Sequence, residues 1–314
     1  MTTMQAVRMH EYGGPEVLKL EDAPRPDPGE GEVLVRVHGA GINPVDWKVR
    51  AGLARQMIPH ALPLIPGWDL SGTVEWVGPN VRGLQHGDGV FTRLDVRRDG
   101  AYAEYVVVPT RDLARKPRSI DHLHAAAVPL AGLTAWQALF EPSHAELARD
   151  QTVLIHGGAG GVGHFAVQLA KWRGARVIAT GSAGNEGFLR ELGADVFVDH
   201  TSQRFEEAAR EVDVILDTIG GETQARSWPV LRGGVLVTTV ELAAPDEAIA
   251  RGVRASRVSA QTNVRHLQEL ANLIDEGTLR PAVSRILPLA QARKAHGLIE
   301  AGHARGKLVL DVIG

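Results

Sequence analysis

The sequence predicts an α/β protein of two domains: a β-rich domain and a doubly wound parallel-sheet domain. Three observations predict it. The chain has 314 residues, more than one hydrophobic core ordinarily serves. Up to residue 121, short apolar runs are separated by Gly, Pro, Asn and Asp turns. From about residue 122, apolar strands alternate with helical segments, the pattern of a parallel sheet covered by helices. The predicted division is 1–121 with 262–314 for the first domain, and 122–261 for the second.

Composition narrows the function classes. The chain is 44% hydrophobic and 23% charged, as in ordinary globular proteins. A net charge of −3 gives no electrostatic case for nucleic acid or an anionic membrane. There is no cysteine, which excludes disulfides, thiolate zinc sites and a cysteine nucleophile. No apolar run reaches the ~18 residues of a membrane span. The opening residues lack a basic stretch followed by an apolar one, so no signal peptide and a cytoplasmic location are expected. No Gly-x-Ser-x-Gly elbow or His-Glu-x-x-His pattern occurs, and no metal site is expected.

In the first domain, strands are expected at 5–10 and 17–20, around a Tyr12-Gly13-Gly14-Pro15 turn. Further strands are expected at 33–38, 72–77, 87–91 and 103–108, forming a small barrel or sandwich. A helix is expected only at 44–52. Asn43 precedes a proline and must be extended; its amide could face a ligand or cap that helix. Asp69, between Gly67 and Gly72, reads as a turn former. Tyr102 and Tyr105 read as strand residues.

In the second domain a broken helical pair is expected at 125–130 and 133–140, interrupted by Ala131-Gly132. Strands follow at 153–156, 176–180, 196–199, 212–217, 235–239 and 254–258. Helices separate them at 161–173, 186–192, 203–211, 223–231 and 246–251. A helix at 262–276, a strand at 279–287, a helix at 288–300 and a strand at 307–312 return the chain to the first domain.

The chemistry concentrates at Gly158-Ala159-Gly160-Gly161-Val162-Gly163, a G-x-G-x-x-G between a strand and a helix. Gly158 permits a tight turn, Gly160 lets backbone approach a pyrophosphate, and Gly163 lets helix and strand pack closely. The pyrophosphate is expected on free N–H groups at the helix start. The strand-to-helix setting is what makes the motif credible. The second strand then runs into Gly181-Ser182-Ala183-Gly184-Asn185, with no acid before Glu186. A carboxylate there would hold a ribose hydroxyl and repel a 2′-phosphate, whereas Ser182 and Asn185 can donate to one. That favours NADP(H). No Lys or Arg in the loop adds charge, so the preference is expected to be modest.

Taken together, Tyr12 to Leu18, Gly41-Ile42-Asn43-Pro44-Val45-Asp46, Pro66 to Gly72, Gly100 to Tyr105, Pro129 to Trp136, the glycine fingerprint, Asp217 to Gly221 and Gly306-Lys307-Leu308-Val309-Leu310 resemble one family. It is the zinc-independent quinone oxidoreductase (zeta-crystallin-like) branch of the medium-chain dehydrogenase/reductase superfamily. The resemblance implies a GroES-like catalytic domain, a Rossmann domain, NADPH in a cleft between them, and a homodimer. By position, Asn43 and Thr134 would lie near the nicotinamide. Gly160, Gly161 and Val162 would meet the pyrophosphate, and Ser182 the 2′-phosphate side. Ile219, Thr239 and Val240 would line the nicotinamide pocket. His200, also counted among the cofactor-binding residues, stands where the branch often has Tyr. Zinc members carry Gly-His-Glu where this chain has Gly67-Trp68-Asp69. The branch often has Tyr in place of Lys48, a basic residue in place of Gly184, and Phe-Gly in place of Thr239-Val240.

The resemblance implies hydride transfer to a quinone or other conjugated carbonyl; Asn43 and Lys48 are read as donors to the developing oxyanion, Lys48 being equally readable as a solvated helix lysine, and water as the proton source. Two alternatives stay open: reduction of a 2-alkenal or enone double bond, and an NADPH-binding protein with a non-catalytic role.

Overall fold

The computed structural model describes residues 2–302 and 304–314. Strands β1 (Thr3–Met9) and β2 (Leu18–Pro24) form an antiparallel pair around the 12–15 turn. The alternating run at 33–38 is the middle of a longer strand, β3 (Glu32–Ile42). Helix α1 (Pro44–Arg50) follows it directly, with Pro44 in the first turn, where a missing N–H costs nothing. Asn43 is extended at φ −134° and ψ 157°, as the following proline requires. Next come β4 (Asp69–Val77), β5 (Gly89–Arg93), β6 (Tyr105–Pro109), the short β7 (Ala114–Arg115) and α2 (His122–Ala126).

Two departures from the expected pattern have clear causes. The helical pair breaks at Val128-Pro129 rather than at Ala131-Gly132, so α3 (Pro129–Phe140) is continuous across Gly132. Proline is tolerated in a first turn, and one glycine in a helix costs only about 1 kcal/mol. Residues 122–130 also group with the first unit, because α2 lies on β3 and β4. Gly41 permits that contact: a Cβ there would sit 2.2 Å from the Ala126 carbonyl oxygen.

The second unit, Ala131–Gln261 with Thr278–Arg280, carries the alternating elements. They are β8 (Thr152–His156), α4 (Gly163–Arg173), β9 (Arg176–Gly181), α5 (Glu186–Glu191), β10 (Val196–Asp199) and α6 (Phe205–Ala208). Then come β11 (Val212–Asp217), α7 (Gly221–Ser227), β12 (Leu231–Thr238), α8 (Pro245–Ala250) and β13 (Arg254–Arg257). All six strands are parallel, in the order β10-β9-β8-β11-β12-β13. Strand order therefore reverses between β8 and β11, and ligands bind such sheets beyond the carboxyl ends at that point. Ile178, Leu154, Ile215 and Leu236 stand side by side across four strands and are buried with Phe205 and Trp228.

The chain then rejoins the first unit as α9 (Val264–Asp275), β14 (Val283–Pro288), α10 (Ala292–Glu300) and β15 (Lys307–Asp311). Strand β15 pairs antiparallel with β3, Leu308 opposite Ile42, so the last strand of the chain completes a sheet begun at Glu32. That sheet runs β14-β15-β3-β4-β5-β7, with β6 also on β3. Among the described residues no helix is long and apolar enough to cross a membrane.

The approach of α4 to β8 is testable. A Cβ at Gly163 would sit 2.2 Å from the Gly157 carbonyl oxygen, while one at Gly187 in α5 would meet nothing within 4 Å. Gly163→Ala should destabilise the protein by about 1–3 kcal/mol. Gly187→Ala should leave the melting temperature unchanged or slightly raised. Equal thermal shifts for the two variants would show that the strand and helix are not in tight contact.

Candidate active site

In the first unit three strand ends bring Asn43, Asp69 and Lys307 together. Asn43 follows β3, Asp69 opens β4 opposite Gly41, and Lys307 opens β15. All three are buried. The Asn43 Nδ2 donates to Asp69 Oδ2 at 2.8 Å, and the Leu130 N–H donates to Asp69 Oδ1 at 2.8 Å. Lys307 Nζ donates to Asn43 Oδ1 and to the Ile42 carbonyl at 2.9 Å, and lies 3.6 Å from Asp69 Oδ2. Asp69 is thus a strand residue that anchors two buried donors, not the turn former expected from its glycine neighbours. Burial pushes its carboxyl up and pushes the Lys307 ammonium down, and the charge of each counters the shift of the other.

A second acid lies alongside. Asp46 Oδ2 accepts from the Asn43 backbone N–H at 2.7 Å and from the Tyr102 hydroxyl at 3.2 Å. Asn43 occupies the N-cap position of α1, and its Oδ1 accepts from Lys307. Tyr102 is fully buried and linked onward, rather than an ordinary strand residue: the His296 Nε2 lies 3.2 Å from its hydroxyl, and the Arg50 Nη1 lies 3.4 Å from His296 Nδ1. A guanidinium only donates, so His296 Nδ1 accepts and its Nε2 carries the hydrogen. The chain of donors therefore runs from Arg50 through His296 and Tyr102 to Asp46. Burial, reinforced by Arg50, pushes His296 down to about 3, keeping it neutral. Arg50 is anchored by Glu300 at 3.1 Å and the Gly13 carbonyl at 3.1 Å. Lys48 is placed differently, exposed on α1 with its Nζ 5.9 Å from the Trp47 ring centre.

In the second unit the glycine fingerprint forms the expected strand-turn-helix, with one correction. The residue with left-handed backbone is Gly157, at φ +71°, not Gly158. Gly158 instead packs its backbone close: a Cβ there would sit 3.0 Å from Ala179 Cβ and 3.0 Å from a Leu189 methyl. Gly157 N and Gly158 N donate to Thr180 Oγ1 and to its carbonyl, at 3.2 and 2.9 Å. Gly160 N closes the turn on the Gly157 carbonyl at 2.9 Å. Ala159 is buried, while Gly161 and Val162 are partly exposed. Among the described residues no backbone hydrogen bond engages the N–H groups of Gly161 and Val162, just ahead of α4. Free amides at the positive end of a helix are the requirement for a phosphate.

At the ends of β9 and β10 the Asn185 Nδ2 donates to Ser182 Oγ at 3.0 Å, and the His200 backbone N–H donates to the Gly181 carbonyl at 3.1 Å. Ser182, Asn185 and His200 are thereby gathered at one edge. The nearby Asp199 carboxylate is engaged by Thr201 and Ser202. Thr134 is buried on α3. Buried Asp217, at the end of β11, accepts from the N–H groups of Ile219 and Gly220, from Gln224 and from Thr238. It shapes the loop that leaves Ile219 56% exposed, and its carbonyl takes the Thr239 N–H. Val240 N is held by Thr238 Oγ1 at 3.2 Å. His156, at the end of β8, bonds Ser227 Oγ at 2.9 Å, and burial pushes it down to about 4.

Sequence reasoning passed over Lys307, Arg50 and His296 as partners of Asn43 and Asp46. The signal available was Gly306-Lys307 ahead of an apolar strand, a motif whose lysine would otherwise read as surface.

The state of Asp46 has a measurable consequence. Burial, aided by the Asp69 charge and opposed by the Asn43 N–H, pushes its carboxyl up to about 7, and its Oδ1 has no hydrogen-bond partner among the described residues. A raised acid contributes stability that is complete below its unfolded value near 4 and is lost as pH rises through about 7. Asp46→Asn removes the ionisation and keeps an acceptor for Asn43 and Tyr102. Its melting temperature minus the parent's should grow by several degrees from pH 4 to pH 8. A difference independent of pH would mean that Asp46 is ionised throughout.

Comparison with known proteins agrees with this architecture. Residues 29–118 match the alcohol dehydrogenase GroES-like domain, and residues 192–310 match a family described as zinc-binding dehydrogenase. A quinone oxidoreductase structure from Coxiella burnetii superposes with a TM-score of 0.92 at 37% identity, covering 99% of this chain and 100% of that one. The Escherichia coli quinone oxidoreductase complexed with NADPH gives 0.88 at 30% identity, over 98% and 100%. The 2-methylene-furan-3-one reductase of Solanum lycopersicum is 33% identical over 99% of this chain and 79% of its own length. The residues here do not fit the zinc that one family description implies. Trp68 stands beside Asp69 with its indole N–H given to the Arg98 carbonyl at 3.0 Å, Asp69 already faces an ammonium, and the chain has no cysteine. Among the described residues no group of three or more His, Asp and Glu could hold a metal. The chain belongs to the zinc-independent quinone oxidoreductase branch of the medium-chain dehydrogenase/reductase superfamily, and is an NAD(P)H-dependent oxidoreductase.

Proposed function

We propose that the protein uses NADPH to reduce a quinone or a related conjugated carbonyl, with Asn43 as the hydrogen-bond donor to the developing oxyanion. The observation that carries this reading is the Asn43 amide. One Nδ2 hydrogen goes to Asp69, its Oδ1 is held by Lys307, and the second Nδ2 hydrogen has no protein partner among the described residues. A fixed, buried N–H beside an ammonium is the donor that an enolate or phenolate needs. Bound NADPH supplies the hydride. Gly161 and Val162 offer amides to its pyrophosphate, and Ser182, Asn185 and His200 offer donors to its 2′-phosphate. The acceptor takes the hydride on carbon or oxygen, and its oxyanion takes a proton from water. Conjugated acceptors suit this site because their oxyanions are far more stable than an alkoxide and need less help. The tomato relative, named as a 2-methylene-furan-3-one reductase, favours an enone as the second reading.

Absorbance at 340 nm follows the reaction with 1,4-benzoquinone, 9,10-phenanthrenequinone and a 2-alkenal, each with NADPH or NADH and with EDTA. Quinone turnover that prefers NADPH and ignores EDTA is expected. Turnover confined to the alkenal would move the assignment to enone reduction, and NADPH binding without turnover would leave a non-catalytic role. Asn43→Ala should lower kcat/KM for the quinone by at least about tenfold, the scale of one lost donor. Lys48→Ala tests the second donor assigned to the reaction: a comparable loss would retain it, and parent-like kinetics would return it to the solvated surface. Ser182→Asp should cut the NADPH:NADH preference by about tenfold, because a carboxylate repels a 2′-phosphate.

A further inference from the structure

The orientation of the Asn43 amide is set by a residue 264 positions away. The two ends of an asparagine amide have nearly the same shape, so packing alone does not choose between them. Here two buried charges of opposite sign choose. An ammonium has no lone pair, so the amide atom facing Lys307 must be the oxygen. A carboxylate only accepts, so the atom facing Asp69 must be the nitrogen. The reversed amide would set N–H against N–H at one end and oxygen against oxygen at the other.

Lys307 is itself fixed. Its Nζ is held by the Ile42 carbonyl at 2.9 Å as well as by Asn43, and lies 3.6 Å from Asp69. The backbone delivering it is equally constrained. Gly306 has a left-handed φ of +59°, and a Cβ there would sit 2.2 Å from the Ala282 carbonyl oxygen. Lys307 N then donates to that same carbonyl at 2.8 Å, and Leu308 enters register with Ile42.

We propose that Lys307 is a positioning residue for the reaction: it locks the Asn43 amide so that its second N–H is presented in a single direction. This rests on the reading that Asn43 donates to the oxyanion. The competing view is that Lys307 only neutralises Asp69 within the fold. The two views differ in how losses combine, since a residue that acts through Asn43 matters only while Asn43 is present.

The experiment uses the full chain, NADPH and 9,10-phenanthrenequinone. Parent, Asn43→Ala, Lys307→Met and the double variant are compared for kcat, KM, NADPH affinity by fluorescence, and thermal melting. Lys307→Met should lower kcat by about tenfold or more with NADPH affinity within about twofold. The double variant should fall no further than Asn43→Ala alone, within about threefold. Multiplied losses, or parent-like kcat in Lys307→Met, would overturn the proposal. Should Lys307→Met fail to fold, the charge-balanced Asp69→Asn/Lys307→Met variant, with and without Asn43→Ala, is compared with Asp69→Asn in the same way. Parent-like kinetics for Asn43→Ala would instead overturn the role of Asn43, a result independent of what Lys307→Met does.

Discussion

The first unit depends on a buried ammonium. Lys307 lies almost wholly out of water, and an isolated charge there would be very costly. It persists because the Ile42 carbonyl, the Asn43 amide oxygen and the Asp69 carboxylate surround it. Removing one partner of such a group typically costs about 3–5 kcal/mol. These partners come from β3, the residue after it, and β4, so satisfying one charge fixes three strand ends. The same cluster governs Asp46, whose carboxyl shares the burial and the neighbouring Asp69 charge. Structure and chemistry are therefore coupled at Asn43, which is both a brace of the sheet and the donor in the proposed reaction.

The second unit solves a different problem with backbone. Its parallel strands end on one side, and reversal of strand order between β8 and β11 opens the sheet there. Gly157 turns the chain, Gly158 and Gly163 allow close packing, and the Gly161 and Val162 amides are left unspent among the described residues. Asp217 performs the corresponding service at β11, gathering four donors so that 218–221 and the end of β12 keep their course. No side-chain cation is required in the fingerprint turn, because free N–H groups and the helix dipole already favour an anion.

The departure from zinc chemistry follows from the same cluster. Where zinc members of the superfamily carry Gly-His-Glu, Trp68 fills space and gives its N–H to a carbonyl, and Asp69 faces a cation that the chain itself supplies. Under the proposed function, a hydrogen-bond donor of limited strength, the Asn43 amide, takes the place of a polarising metal. In the proposed reaction this suits acceptors whose reduced form spreads its charge.

What the sequence by itself determined was local and periodic. Apolar spacing located the six parallel strands within a few residues, the Asn43-Pro44 pair dictated an extended residue before a helix, and the glycine fingerprint marked the turn between β8 and α4. Those features follow from near-neighbour sterics and burial, which composition and spacing encode. Only the tertiary structure decided which glycine takes the left-handed turn, that the helix break falls at Pro129, and that Asp69 opens a strand. It also decided that Lys307 reaches back to Asn43, and that Arg50, His296, Tyr102 and Asp46 form one directed chain. These contacts join residues up to 264 positions apart, and a lysine or histidine has the same local signature whether solvated or buried. Its partners exist only once the last strand has paired with the first strand of its sheet, and long-range pairing leaves no period in the sequence.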